Sequence, residues 1–145
     1  MEILPIPALK DNYIWALVDT NNHQVMVVDP GESEPVIDFL TEHGYQLVGI
    51  LITHHHADHT NGIAGLLEYA GNIPVYGSNL SQNQLINHHA KDNEIVQCAH
   101  VKAKAIAIPG HTLDHTAYYL ESESALFTGD TLFSAGCGRI FEGTP

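Results

Sequence analysis

The segment ITHHHADHTNG, residues 52–62, concentrates side chains that bind metal ions. Four imidazoles and one carboxylate lie within six positions: His54, His55, His56, Asp58 and His59. Imidazole nitrogen and carboxylate oxygen are the ligands that borderline divalent metals prefer. Because these residues alternate along one loop, several of them can converge on one point. We therefore interpret the segment as a metal-binding loop rather than as solvated surface.

Two later segments could complete such a site. A catalytic zinc site takes ligands from more than one loop and leaves a position open for water or substrate. His111 follows a predicted strand and a Pro-Gly turn in IPGHTLDH, and Asp130 follows another strand and a glycine in LFTGDTLF. Either residue alone is more often structural than ligating. Since all three loops end predicted strands, we interpret both residues as further ligands.

These residues carry a resemblance to a known family. The signature Thr-His-x-His-x-Asp-His is matched at residues 53–59, and GHT at 110–112 and GDT at 129–131 match the next two ligand positions. The sequence therefore resembles the metallo-β-lactamase superfamily. The resemblance implies an αββα sandwich, with metal ions at the edge where its two sheets meet.

Within that superfamily the sequence is most similar to glyoxalase II, the hydroxyacylglutathione hydrolase family. Four segments carry this similarity: LKDNYIWAL (9–17), THHHADHTNG (53–62), PGHTLDHTAYY (109–119) and GDTLFSAGCGRIFEGTP (129–145). Such proteins continue further, with another metal-binding histidine, the closing strands and a helical C-terminal domain. We expect residues 1–145 to form a truncated catalytic domain of this kind.

The resemblance implies which residues act at the site. The first metal would be held by His54, His56 and His111, the second by Asp58 and His59, with Asp130 bridging both. Asp58 could also orient the nucleophile, so Asp58 and Asp130 are the expected catalytic residues. His55 and His115 lie outside the ligand positions and are expected to be outer contacts or surface groups, with His115 the better candidate for an outer contact.

Arg139 and Phe141 occupy the positions that contact glutathione in that family. The planar guanidinium of Arg139 suits the carboxylates of a glutathionyl group. Phe141 lacks the hydroxyl that some relatives carry there, so only its packing can be transferred.

The implied reaction is hydrolysis of S-D-lactoylglutathione to D-lactate and glutathione, a step in methylglyoxal detoxification. Two divalent ions would lower the pKa of water and polarise the carbonyl. Zinc is the expected metal, with iron and manganese as alternatives, because such ligand sets accept all three. Two other readings stay open: a persulfide dioxygenase of the same superfamily, and a metal-binding fragment without activity. β-Lactamase activity is disfavoured, since Asp130 stands where several such enzymes have cysteine.

The elements that must position these loops follow an α/β order. Residues 13–19 and 24–29 predict a hairpin, and apolar spacing after Ser33 predicts a helix that stops at Gly44. Residues 46–53 predict a buried strand. A second helix is expected over 63–69 and another strand over 73–77. From residue 95 onward the pattern predicts strands only.

Composition limits the partners and the compartment. The 145 residues carry 17 acidic and 5 basic side chains, a formal charge of −12. Such a surface repels nucleic acid and anionic lipid. The two cysteines and the absence of a signal-like or long apolar segment predict a cytoplasmic protein, with no membrane and no nucleic-acid partner. Oligomeric state is left open.

Overall fold

The fold consists of two facing β-sheets with helices on one of them. The computed structural model describes residues 1–143, so the last two residues of the predicted domain lie outside it. The strands are β1 (Glu2–Ala8), β2 (Asn12–Asp19), β3 (Gln24–Val28), β4 (Gln46–Leu51), β5 (Val75–Ser78), β6 (His88–Ala90), β7 (Ile95–Cys98), β8 (Val101–Ala107), β9 (Thr116–Leu120) and β10 (Ala125–Phe127). The helices are α1 (Glu34–His43), α2 (Ala57–Thr60) and α3 (Ile63–Ala70).

The first sheet contains six strands in chain order, β1 to β6. β1, β2 and β3 pair antiparallel, whereas β3 to β6 pair parallel. The predicted hairpin of β2 and β3 is confirmed. β1 was not predicted, because Pro5 and Pro7 have no backbone N–H to donate to a neighbouring strand and interrupt the sequence pattern of a strand. Proline is tolerated in β1 because that strand lies at the sheet edge.

The second sheet contains four antiparallel strands in the order β10-β9-β8-β7. One apolar core lies between the helices and the first sheet and includes Val36, Leu40 and Leu66. Another lies between the two sheets and includes Met26 and Tyr118. The layer order is thus α-β-β. Within residues 1–143 no α-helix covers the outer face of the second sheet, consistent with an incomplete αββα sandwich.

The helices begin and end where local sequence signals predict. α1 follows Ser33 and ends at Gly44, whose φ of 67° is left-handed and favours glycine. α3 ends before Gly71. The single turn of α2 was not predicted, although it contains Asp58 and His59. Edge strand β6 was not predicted, and its His88 and His89 are exposed.

The helices are too short or too polar to act as membrane spans. A search of the described part of the chain finds no helix that could cross a bilayer.

Candidate metal centre

The site lies where the ends of strands from both sheets meet. The backbone N–H of Thr116 in β9 donates to the Thr53 carbonyl after β4, at 2.8 Å. The buried hydroxyl of Tyr118 donates to the Ile52 carbonyl at 2.9 Å. These two bonds fasten the histidine loop to the second sheet. His111 and Asp130 then approach it from the ends of β8 and β10.

The structure brings together all six residues that the sequence proposed as ligands. Two groups of nitrogen and oxygen atoms within 4.8 Å of one another consist only of these residues, and a third joins Asp29 to His54 and His59. The first ligand group contains His54, His56, His111 and Asp130. The second ligand group contains Asp58, His59 and Asp130. Asp130 is common to both groups.

Hydrogen bonds fix which nitrogen of each imidazole faces the cluster. The Thr53 hydroxyl donates to Asp29 at 2.6 Å and can therefore accept from Nδ1 of His54, 3.0 Å away. Nδ1 of His111 lies 2.8 Å from the Arg139 carbonyl, which can only accept. In the neutral tautomer that these contacts favour, Nε2 of each of these two rings carries no proton. A histidine that ligates metal is commonly oriented in this way by its other nitrogen.

Unpartnered buried atoms provide the test of whether a cation fits. Nε2 of His54 is buried without a hydrogen-bond partner, whereas Nε2 of His59 is buried and faces a carboxylate oxygen of Asp130 at 3.1 Å. Nε2 of His111 faces Nδ1 of His56 at 3.1 Å and a carboxylate oxygen of Asp130 at 3.3 Å. Lone pairs at that separation repel each other unless a proton or cation lies between them. The donor set therefore fits divalent metal ions.

Asp29 supports both groups, although the sequence did not single it out. Its carboxylate accepts from the Thr53 amide at 2.7 Å and from the Thr53 hydroxyl, and lies 2.9 Å from Nδ1 of His59. Asp29 is buried and has a positive φ of 54°. The available signal was its place at the end of β3, beside the end of parallel β4.

The pKa values divide the histidines into two kinds. Burial, reinforced by neighbouring imidazoles, lowers the pKa of His54 and also that of His56. Burial also acts to lower the pKa of His59, but its bonds to Asp130 and Asp29 raise it to about 10. In the metal-free protein His59 therefore holds a proton that a metal ion must displace.

The Asp130 turn is held by His115 and by two close glycine contacts. The amide of Asp130 donates to Nε2 of His115 at 3.1 Å, and the His115 ring stacks on His54. Burial lowers the pKa of His115 to about 4, so this ring is neutral and can accept. A Cβ on Gly129, at φ 50°, would lie 2.5 Å from Thr53 Oγ1. A Cβ on Gly138 would collide with the Asp130 carbonyl.

Asp58 is the least restrained of the six. Its side chain is 49% exposed. Nδ2 of Asn12, at the start of β2, donates to its carboxylate at 3.2 Å, and His59 Nε2 lies 3.4 Å away. Asn12 belongs to the segment Asp-Asn-Tyr at residues 11–13, so its hydrogen bond to Asp58 connects that segment to the second ligand group.

Residues 138–142, which we name the strap, fold over the first ligand group. The Phe141 ring meets His56 and His111 edge-on, with centroids 5.6 and 5.1 Å apart. The Phe141 amide donates to the His111 carbonyl at 3.2 Å. Arg139 is exposed, and only its carbonyl contacts the site. Cys137, just before the strap, is exposed and free.

An open cleft of about 880 Å³ gives access to the second ligand group. Aromatic side chains form one wall, and three of the proposed ligands form its polar end. The aromatic residues are Tyr13, Trp15, Phe127 and Phe133, and the ligands are Asp58, His59 and Asp130.

Comparisons with known proteins agree with this geometry. Residues 12–143 match the model of the metallo-β-lactamase superfamily. A protein of Pseudoalteromonas translucida named hydroxyacylglutathione hydrolase is 49% identical over 99% of this chain and 55% of its own length. The chain thus spans about half the length of the curated relatives it matches.

Solved structures share the fold. The B3 metallo-β-lactamase BLEG-1 superposes with a TM-score of 0.82 at 23% identity, over 95% of this chain and 76% of that one. ETHE1 from Myxococcus xanthus superposes with a TM-score of 0.79 at 28% identity, over 96% and 61%. With the family model covering residues 12–143 and the ligand side chains gathered at the sheet edge, the chain belongs to the metallo-β-lactamase superfamily.

Proposed function

We propose that this chain is the metal-binding part of a thioester hydrolase that cleaves S-D-lactoylglutathione to D-lactate and glutathione, and so serves methylglyoxal detoxification. The name of the Pseudoalteromonas translucida relative supports this class of substrate. Because the chain covers about half of such relatives, the activity is proposed for the full-length protein. Two free cysteines, Cys98 and Cys137, fit the reducing cytoplasm that we propose as its location.

One observation carries the proposal: the strap that bears the glutathione-type residues packs directly on the metal-type ligands. Phe141 contacts the rings of His56 and His111. A thiol group bound by the strap would therefore have its acyl carbon beside the ligand groups. This juxtaposition suits a thioester of a bulky thiol.

We propose His54, His56 and His111 as ligands of one divalent ion, Asp58 and His59 as ligands of the second, and Asp130 as the bridge. Zinc fits the nitrogen and oxygen donors, and iron or manganese are alternatives. Such ions, when bound, make water acidic and stabilise the charge that develops on a carbonyl oxygen.

The side chains of this chain supply the remaining functions. Asp58 lies at the cleft with an exposed carboxylate that can accept a proton from the attacking water. Asn12 holds that carboxylate in place. Arg139 can pair with a glutathione carboxylate, and Phe141 packs on the thiol side. The leaving thiol has a pKa of about 8.5, so it departs without a strong acid nearby.

Purified full-length protein, loaded with zinc, provides the test. Loss of thioester absorbance should follow addition of S-D-lactoylglutathione, with release of equimolar free thiol. The His54→Ala variant should lose this activity, whereas His88→Ala, on exposed strand β6, should keep it. Absence of hydrolysis in metal-loaded protein contradicts the proposal.

Persulfide dioxygenation is the second candidate. The observation that favours it is that the first ligand group is by itself sufficient for a single ion. Oxygen uptake with glutathione persulfide in iron-loaded protein, without thioester hydrolysis, would replace the first proposal by this one.

A further inference from the structure

His55 lies between two proposed ligands, His54 and His56, and its ring meets that of His56 edge-on with centroids 5.0 Å apart, but its two ring nitrogens face carboxylates outside both ligand groups. Its Nδ1 lies 2.9 Å from a carboxylate oxygen of Asp114, and its Nε2 lies 3.3 Å from Oε1 of Glu142. One imidazole thereby connects the histidine loop to the loop after β8 and to the end of the strap.

Both carboxylates are fixed from the loop after β8. The Thr112 hydroxyl donates to Asp114 at 2.7 Å, and Asp114 is buried. The backbone amide of Leu113 donates to Oε2 of Glu142 at 2.7 Å. Glu142 therefore contacts His55 with one oxygen and the Leu113 backbone with the other.

The strap is consequently fastened at both ends. At its start the Gly138 amide donates to the Asp130 carbonyl at 2.8 Å, and the Arg139 carbonyl lies at hydrogen-bonding distance from His111. At its end Glu142 is the side chain that holds it. Between these two points lie Arg139 and Phe141.

We propose that Glu142 and His55 are positioning residues that set the strap for binding of the glutathione group. This inference rests on the proposed function and adds the residues on which thiol recognition depends. The side chains of Glu142 and His55 make no hydrogen bond to the proposed ligand side chains. Their loss therefore weakens substrate binding and leaves the bond-breaking step intact.

The size of the effect follows from exposure. The side chains of His55 and Glu142 are 39% and 33% exposed, so water screens the pair. Exposed pairs contribute little on their own, and the expected rise in KM for S-D-lactoylglutathione is about 2- to 5-fold. The value of kcat should change by less than about twofold, because it reports interactions made only in the transition state.

The test compares Glu142→Ala and Glu142→Gln in full-length protein loaded with zinc. Glutamine keeps the oxygen that accepts from Leu113 and offers a donor toward His55, so it should restore the KM lost in the alanine variant. His55→Ala should resemble Glu142→Ala at unchanged metal content. Glu42→Ala, an exposed glutamate of α1, is the matched control.

A second readout is independent of activity. Amide hydrogen exchange at Leu113 and Phe141 should accelerate in Glu142→Ala and His55→Ala but not in Glu142→Gln or Glu42→Ala. Unchanged exchange in Glu142→Ala overturns the inference. Faster exchange without a change in KM also overturns it, as does a fall in kcat with loss of metal.

Failure of the proposed function gives a different pattern. If the unsubstituted protein hydrolyses no thioester, the hydrolase proposal falls and the inference is judged by exchange and by calorimetric binding of glutathione. Weaker glutathione binding in Glu142→Ala, restored in Glu142→Gln, supports the positioning role. Equal binding in both variants and the unsubstituted protein overturns it.

Discussion

The two ligand groups share Asp130 but differ in how their other members are held. The first contains three imidazoles, of which His54 is 1% exposed and His111 is 8% exposed. The Nδ1 atoms of both rings are occupied by Thr53 and by the Arg139 carbonyl. The second relies on one imidazole, His59, and on the exposed carboxylate of Asp58.

This difference indicates that a metal site depends less on reorganisation of its ligands when its imidazoles are buried and hydrogen bonds fix their tautomers. In the first ligand group the pKa values of His54 and His56 are lowered and the Nδ1 atoms of His54 and His111 are already occupied, so an ion meets little cost of reorganisation. In the second, a metal must displace a proton from His59 and restrain Asp58. We therefore expect the first ligand group to bind a divalent ion more tightly than the second.

The largest expected effect on zinc binding comes from removing a ligand of the first group. His111→Ala should abolish the tighter phase of zinc binding, a loss beyond the about 100-fold that outer contacts cause. The weaker phase should remain. Calorimetric titration and the metal-to-protein ratio check this, with His88→Ala as control. Equal loss of both phases would show that the two groups are not separable.

Asp29→Asn should lower the zinc affinity of the second ligand group by about 10- to 100-fold, because Asp29 orients His59. A smaller effect is expected on the first group, because Asp29 lies near His54 but is hydrogen-bonded to it only through Thr53. The free energy of unfolding of the protein should also fall by about 1 to 3 kcal/mol, because the hydrogen bonds of Asp29 are buried. Zinc titration and urea unfolding measure both effects against Asp38→Asn, on the exposed face of α1. Unaltered weak-phase affinity would contradict this role.

Zinc binding at the two ligand groups should differ in its pH dependence. Below its raised pKa of about 10, His59 is protonated in the metal-free protein. Zinc binding to the second group should therefore release about one proton and tighten about tenfold per pH unit from pH 7 to 9. His54 and His56 have lowered pKa values, so these two residues of the first group should release none. Calorimetry in buffers of different ionisation enthalpy measures both.

The same shift has a consequence for the metal-free fold. Because folding raises the pKa of His59 from 6.5, its stabilising contribution is complete below pH 6.5 and is lost as pH rises toward 10. Asp29→Asn should reduce this slope. If zinc binding released the same number of protons in both phases, the assignment of the raised pKa to His59 would be contradicted.

The smallest effect is expected for Asn12→Ala. Its bond to the exposed Asp58 carboxylate should contribute only about threefold to the affinity of the second group. The first group should not change. Asn21→Ala, in the turn after β2, is the control. A loss as large as that of Asp29→Asn would show that Asp58 is more strongly restrained than its exposure suggests.

Regular patterns in the sequence predicted much of the fold. The hairpin of β2 and β3, helix α1 with Gly44 at its end, and strand β4 were confirmed because apolar spacing and glycine act locally. β1, β6 and the single turn of α2 were missed. Prolines interrupt the pattern of β1, and β6 and α2 are short segments that contain histidines and Asp58, so neighbouring strands and loops stabilise all three.

The sequence by itself determined which residues could bind metal, because their types, spacing and places after strands are written in the chain. Only the tertiary structure decided which nitrogen each histidine offers and which residues support it. Asp29 meets His59 across 30 positions, and Asp114 meets His55 across 59. Such contacts follow from strands of two sheets ending at one edge, and no local pattern encodes that meeting.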